Sequence, residues 1–221
     1  MLSNPRALVA LSAFRRQAKT DTGRCRGADR CRLNQTPLND PFDLSTDMGP
    51  IIDAESRAQL ALHAAGMKRE AKLLRALPLD PALGHGTFFP PHVFDIPSLD
   101  VLKREVFGPI LHVVTFVADR MDSVCEAINS SGYGLTIGVH SRIESTVEFV
   151  RERVRVGNMY VNRNQIGAVV ESQPFGGEGL SGTGPKAGGT HYLPRFAVER
   201  SVTINTAAAG GNAALLTLDG N

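Results

Sequence analysis

The sequence predicts an α/β protein with a parallel sheet, and three observations support that class. Residues 110–118, ILHVVTFVA, form a nearly continuous apolar and β-branched run, which is typical of a strand buried on both faces. From there to residue 162, the patterns alternate in the order strand, helix, strand, helix, strand. Upstream of this region, an apolar helical face recurs within residues 54–77.

The elements before the sheet follow the turn residues Pro41, Gly49 and Pro50. Asp53 is a suitable N-cap for a helix that we expect to run over residues 54–77. One face of that helix collects mostly apolar side chains, namely Leu60, His63, Ala64, Met67, Ala71 and Leu74. The prolines of TFFPPHVFDI, residues 87–96, favour an edge strand over a central one.

The elements after residue 118 begin with two helical patterns, over residues 120–131 and 142–154, and Gly132 is placed to end the first. LTIGVHS and VGNMYVNRN are the predicted strands between and after them. In RFAVERSVTINT, alternate residues share one side, and the set is Phe196, Val198, Arg200, Val202 and Ile204. The arginine within this set indicates a strand at an edge or an interface.

Charge divides the chain into a basic head and a nearly neutral body. Residues 1–40 hold eight Lys and Arg against three acidic residues, whereas the rest holds sixteen against nineteen. The head has no clear hydrophobic period, so we expect it to be poorly ordered or loosely packed. Binding of nucleic acid by the head is the lowest-ranked interpretation, because it lacks interleaved aromatic residues. No run approaches the roughly 18–20 apolar residues of a membrane span, so the sequence predicts none.

The three cysteines, Cys25, Cys31 and Cys125, are too few for a disulfide framework and suit a reducing compartment. We therefore expect a cytoplasmic protein. No matching ligand pair follows Cys25 and Cys31, so we predict no metal site. Cys125, His112 and His140 lie within predicted helix or strand runs, where a structural role is favoured.

The glycine-rich segment GLSGTGPK is close to the phosphate-binding pattern GxxxxGK[ST]. Pro185 separates Gly184 from Lys186, which removes a backbone N–H and displaces the lysine by one position. No convincing helix pattern follows. We interpret the segment as a loop that packs closely against neighbouring backbone.

The stretch EVFGP, residues 105–109, stands immediately before the predicted buried strand. Gly108 and Pro109 fix the chain there, so Glu105 and Phe107 are held at the mouth of a strand, where ligands of α/β folds bind. A carboxylate can accept hydrogen bonds from both hydroxyls of a ribose, and a Phe face can limit the position of a flat heteroaromatic ring. The alternative for Glu105 alone is an ordinary solvated carboxylate.

The motifs EVFGP, YGLTIGVHS, GNMYVNRN and QPFGGEGLSGTG occur in the order that the aldehyde dehydrogenase superfamily has, and the chain resembles this family over about 41–221. NRNQIGAVVESQPFGGEGLSGTGPKAGG is similar to the L-glutamate-γ-semialdehyde (Δ1-pyrroline-5-carboxylate) dehydrogenase module of bifunctional proline utilisation A proteins. The resemblance implies a partial catalytic domain of parallel sheet and helices over 41–195. It also implies a C-terminal β-arm for oligomerisation with a flexible tail over 196–221, and a non-family head over 1–40.

The resemblance further implies NAD as cofactor, glutamate γ-semialdehyde as substrate and a homo-oligomer as the intact assembly. Glu105 would bind the nicotinamide ribose, and Phe107 would pack beside the nicotinamide. The backbone N–H groups of Gly167 and Ala168 would hold the α-carboxylate of the substrate, and Phe175 would line the pocket for its aliphatic part. In the family a cysteine thiolate attacks the aldehyde, hydride passes to NAD, and water releases glutamate.

The family nucleophile stands in a pattern close to GQRCS, whereas Cys25 stands in TGRCRG at an unsuitable spacing, so we do not assign Cys25 a catalytic role. The base and the phosphate-binding elements of the family have no counterpart in residues 1–40. We therefore expect a C-terminal fragment that gives no turnover by itself. The alternative is a non-catalytic assembly partner that pairs through the β-arm with a full-length aldehyde dehydrogenase.

Overall fold

The computed structural model describes residues 6–12, 38–163, 165, 172–182 and 184–205. The α-helices α1, α2 and α3 span Ala54–Glu70, Met121–Ser130 and Glu144–Arg153. Short 3-10 helices lie at Pro81–Leu83, Leu99–Val101, Ala118–Arg120 and Pro194–Phe196. The strands β1 to β8 span Arg6–Ser12, Lys72–Ala76, His92–Asp95, Ile110–Val117, Tyr133–Gly134, Thr136–Val139, Asn158–Val161 and Glu178–Gly179.

Helix α1 begins as predicted and ends earlier than predicted. The Asp53 carboxylate accepts a hydrogen bond from the backbone N–H of Ser56 at 2.6 Å, and this bond lowers the pKa of Asp53. The helix ends at Glu70, because Ala71 is extended and Lys72–Ala76 forms β2, which pairs with β3. The helical spacing of Ala71 and Leu74 was misleading, since pairing with β3 is a tertiary interaction that local spacing does not record.

The larger sheet has four strands in the order β1-β4-β3-β2. β3 and β4 are parallel, whereas β1 and β2 run antiparallel to their neighbours, so the predicted α/β class is confirmed but this sheet is mixed rather than parallel. β3 is therefore central, and the edge position predicted for residues 87–96 is wrong. Both prolines of that segment, Pro90 and Pro91, precede His92–Asp95, so the strand keeps its hydrogen-bond donors.

The alternation of strands and helices predicted for residues 110–162 is confirmed, but it does not form one sheet. β6 and β7 pair in parallel with each other, while β4 pairs with β1 and β3. Strand β1 comes from the basic head, where we predicted no strand, and it lies antiparallel along β4 from Leu111 to Val117. Gly132 has a φ of +75° just after α2, in agreement with its predicted role in ending the helix.

Two groups of buried side chains hold these elements together. The first lies between α1 and the larger sheet and consists of Leu60, Ala64, Met67, Phe89, Phe94, Ile96 and Ile110. The second lies among α2, α3, β6 and β7 and is centred on Cys125, Val150 and Val154. Cys125 is 2% exposed and burial raises the pKa of its thiol, so the structural role predicted for it is confirmed.

Residues 197–205 form no strand and are exposed, so the part of the predicted β-arm that the structure describes does not show a strand. Alternation of side chains alone does not make a strand, since a strand needs a partner for its backbone groups. The boundaries at residues 40 and 195 stay predictions. Within the described ranges, no helix has both the length and the apolar character that crossing a membrane requires.

Candidate functional site

Glu105 and Phe107 lie on the segment that joins the 3-10 helix Leu99–Val101 to β4. Glu105 is exposed, and Phe107 is 69% exposed. The next residues are fixed, because Pro109 is buried and its carbonyl accepts a hydrogen bond from the backbone N–H of His92 at 3.0 Å. Two accessible side chains, one carboxylate and one aromatic, therefore precede a Gly-Pro pair that is hydrogen-bonded to the first residue of β3.

Gly108 lies where α1 approaches this segment closely. A Cβ atom at Gly108 would lie 2.4 and 2.6 Å from the two methyl carbons of Leu60, which is 2% exposed. A side chain at this position would therefore displace the buried leucine. The packing of α1 thus sets the path of residues 105–109, which we call the EVFGP corner.

Phe175 lies in the glycine-rich region, beside the beginning of β7. It is half-buried and exchanges two backbone hydrogen bonds with Ala187, at 3.0 and 2.9 Å. The glycine-rich segment packs tightly as predicted: a Cβ at Gly179, which has a φ of +58°, would lie 2.4 Å from the carbonyl oxygen of Gly132. Lys186 donates a hydrogen bond to the carbonyl of Gly157, so it is used within the fold.

An open cleft of about 440 Å³ lies along β7 and the segment that leads to Phe175. Its lining includes polar residues to which the sequence analysis assigned no role in the site, namely Asn158, Arg163, Gln173 and Lys186. The guanidinium carbon of Arg163 lies 4.5 Å from the centre of the Tyr160 ring, and its Nη1 lies 3.5 Å from Oε1 of Gln173. The polar side chains within GNMYVNRN were the sequence signal for this cleft, because a strand buried on both faces would carry apolar side chains.

The structure brings only part of the predicted site onto described elements. The EVFGP corner precedes β4, Phe175 lies near β7, and neither Glu105 nor Phe107 lines the cleft. Gly167, Ala168 and Cys25 lie outside the described residues. Among the residues that are described, no group of three or more metal-binding side chains is found. Glu105 presents an accessible carboxylate and Phe107 an accessible ring, and their binding to a ribose and a flat ring stays a prediction.

His112 and His63 form a further polar contact away from these residues. Their Nε2 atoms are 3.0 Å apart, between β4 and α1. His112 is 5% exposed, and burial lowers its pKa to about 4, with His63 contributing. The structural role predicted for His112 is confirmed by this burial and contact.

Comparison with known proteins places these features in a family. The sequence profile of the aldehyde dehydrogenase family matches residues 30–202. The bifunctional protein PutA of Klebsiella aerogenes is 47% identical over 176 residues, which are 77% of this chain and 13% of that protein. A crystal structure of a PutA mutant from Bradyrhizobium japonicum has a TM-score of 0.75 and 52% identity, over 82% of this chain and 19% of that one.

The 1-pyrroline-5-carboxylate dehydrogenase from Thermus, solved with bound NAD, has a TM-score of 0.67 and 36% identity. That match covers 76% of this chain and 32% of the Thermus chain. The chain therefore spans a minor part of the length of each of these relatives. The profile match, the identities and the shared fold agree, and we conclude that this chain belongs to the aldehyde dehydrogenase family.

Proposed function

We propose that this chain forms part of an NAD-dependent dehydrogenase that oxidises L-glutamate γ-semialdehyde to L-glutamate, the second step of proline catabolism. The observation that carries the proposal is the EVFGP corner, where an exposed carboxylate and an exposed phenyl ring precede β4, a partly buried strand that pairs in parallel with β3. The names of the relatives support the substrate, since they include bifunctional PutA and a 1-pyrroline-5-carboxylate dehydrogenase with bound NAD.

In this proposal, each site residue has one task. The Glu105 carboxylate accepts hydrogen bonds from the nicotinamide ribose, and the Phe107 ring limits the position of the nicotinamide. The backbone N–H groups of Gly167 and Ala168 bind the α-carboxylate of the substrate, and Phe175 contacts its aliphatic part. When bound, NAD supplies the acceptor for the hydride. We propose the cytoplasm as the location of this reaction.

An exchange of segments tests the proposal. In the Klebsiella PutA, the matching stretch of 176 residues is replaced by that of this chain, and NADH formation from glutamate γ-semialdehyde is recorded. We expect this hybrid enzyme to produce NADH, because the exchanged segment supplies the EVFGP corner and Phe175. A hybrid that is folded by size-exclusion chromatography and thermal unfolding, yet forms no NADH, would contradict the proposal.

Within the hybrid enzyme, Glu105→Gln is expected to raise the KM for NAD on the order of tenfold. The change keeps the shape of the side chain and removes the charge that strengthens its hydrogen bonds to the ribose hydroxyls. Glu126→Gln, the same change at an exposed position of α2, is the matched control and is expected to leave the KM unchanged. Equal KM values for NAD in both variants would remove Glu105 from the cofactor site.

We also propose that residues 196–205 form the surface through which copies of the intact protein assemble. The observation that favours this role is a row of exposed apolar side chains, with Phe196 70%, Val198 92%, Val202 68% and Ile204 74% exposed. Mixing the chain with a full-length relative and measuring molecular mass in solution tests the same surface as a contact with another aldehyde dehydrogenase. We expect a mass increase that Val202→Lys abolishes, and an unchanged mass for the wild-type mixture would contradict this role.

A further inference from the structure

The side chain of Asn158 bridges the two residues that flank Phe175. Its Nδ2 donates a hydrogen bond to the carbonyl oxygen of Pro174 at 2.9 Å. Its Oδ1 accepts a hydrogen bond from the backbone N–H of Gly176 at 3.2 Å. Because one amide group meets both neighbours of Phe175, it fixes the backbone on either side of that ring.

The opposite edge of the same segment is held by two backbone hydrogen bonds and by one side-chain hydrogen bond of the adjoining Lys186. Phe175 donates to and accepts from Ala187, and Lys186, next to Ala187, donates to the carbonyl of Gly157, next to Asn158. Residues 174–176 are thus held between the first residues of β7 on one side and residues 186–187 on the other. The orientation of Phe175 depends on both sides.

We propose that Asn158 is a positioning residue that sets the orientation of Phe175 against the aliphatic part of the substrate. This inference rests on the proposed function, because it takes Phe175 as a wall of the semialdehyde pocket. Asn158 does not touch the substrate in this account. It acts by supplying the donor that binds the Pro174 carbonyl and the acceptor that binds the Gly176 N–H.

Two substitutions separate this role from a general effect on stability. Asn158→Ala removes the donor and the acceptor. Asn158→Asp keeps the volume and the acceptor but turns a second carboxylate oxygen toward the Pro174 carbonyl, which repels it. Either substitution weakens the hold of β7 on residues 174–176, so the ring of Phe175 contacts the substrate in a less defined position.

Asn129 provides a matched control in the same chain. Its Nδ2 donates to the carbonyl of Arg153 at 2.7 Å, and its Oδ1 accepts from the N–H of Arg155 at 2.9 Å. It is half-buried like Asn158 and makes the same pair of bonds across one intervening residue. Asn129→Ala therefore removes the same two types of hydrogen bond, but between α2 and the end of α3 rather than beside Phe175.

The experiment measures KM for glutamate γ-semialdehyde and for NAD in the hybrid enzyme. For Asn158→Ala we expect the KM for the semialdehyde to rise on the order of tenfold, with the KM for NAD unchanged. Asn129→Ala is expected to change neither. If Asn158→Ala does not fold, Asn158→Asp is measured instead and is expected to raise the same KM.

A double substitution tests the route through Phe175. If Asn158 acts by positioning the ring, Asn158→Ala raises the semialdehyde KM in the wild-type background and adds little to Phe175→Ala. The same rise in both backgrounds, or equal effects of the Asn158 and Asn129 variants, would overturn the inference and leave the proposed function intact. A folded wild-type hybrid without NADH formation would overturn both.

Discussion

Acidification from pH 7 to pH 4.5 is expected to destabilise this protein by an amount that depends strongly on His112. The pKa of His112 is lowered by burial from the usual 6.5 to about 4. A difference of that size between the unfolded and folded chains corresponds to about 3 kcal/mol of folding free energy. This is a large fraction of the total stability of a domain of ordinary size.

The physical origin is the contact of His112 with His63. One imidazole must accept the hydrogen bond between their Nε2 atoms, and a doubly protonated ring cannot accept, so both rings cannot be charged together. Burial also lowers the pKa of His63, with a further contribution from Arg104, while Glu70 acts in the opposite sense. Burial lowers the pKa of the neighbouring His92 too, although its bond to the Pro90 carbonyl opposes this.

The direction in which stability changes with pH follows from the lowered pKa of His112 in the folded chain. Below pH 6.5 the unfolded chain binds more protons than the folded chain, so stability falls as the pH decreases. The contribution of His112 is complete above pH 6.5 and is lost progressively toward pH 4. Basic conditions are expected to have no effect through these histidines.

Urea unfolding at several pH values between 7 and 4.5 measures this effect. His112→Leu replaces the buried imidazole by an apolar side chain and is expected to flatten the dependence of unfolding free energy on pH. His85→Gln, at an exposed histidine, is the control and is expected to keep the wild-type slope. Parallel curves for wild type and His112→Leu would show that the acid sensitivity arises elsewhere.

The sequence was most informative where a local rule and the tertiary fold agree. The N-cap at Asp53, the buried face of Leu60, Ala64 and Met67, and the alternation after residue 110 follow from spacing and capping chemistry alone. It was least informative about strand partners. Pairing of Lys72–Ala76 with β3 and the central place of β3 depend on contacts that no local pattern encodes.

In the candidate site, too, features set by local sequence could be predicted and features set by tertiary contacts could not. The accessible positions of Glu105 and Phe107 could be predicted, because a Gly-Pro pair before a buried strand restricts the chain locally. Asn158 could not be selected, since the role proposed for it comes from its bonds to Pro174 and Gly176, which are distant in sequence. A polar residue at the start of a strand is common, and only the bonded partners give it a specific role.

Gly157→Ala is expected to have the largest effect of any single methyl addition at the described glycines. A Cβ at Gly157 would lie 1.8 Å from the carbonyl oxygen of Gly176, which is closer than for any other described glycine. The obstacle is backbone, so no side chain can rotate away, and either β7 or residues 176–177 must move. We expect a loss of about 3 kcal/mol of unfolding free energy, the upper end for overpacking.

The same movement would disturb both edges of the Phe175 segment. Gly157 accepts the hydrogen bond of Lys186, and its neighbour Asn158 bonds to Pro174 and Gly176, so a shift at residue 157 displaces these contacts together. In the hybrid enzyme, Gly157→Ala should therefore raise the KM for the semialdehyde as well as lower stability. The KM for NAD should change less, because the EVFGP corner precedes a different strand.

Gly66→Ala is a control for which we expect the unfolding free energy to rise rather than fall. Gly66 lies inside α1, and nothing is within 4 Å of the position that a Cβ would take. Alanine there reduces the freedom of the unfolded chain without a clash, so we expect a gain of about 0.5–1 kcal/mol. Thermal and urea unfolding of the two variants compare the same added methyl group in two settings. If both lowered stability equally, the close approach of residues 157 and 176 would not be what fixes the glycine-rich segment on β7.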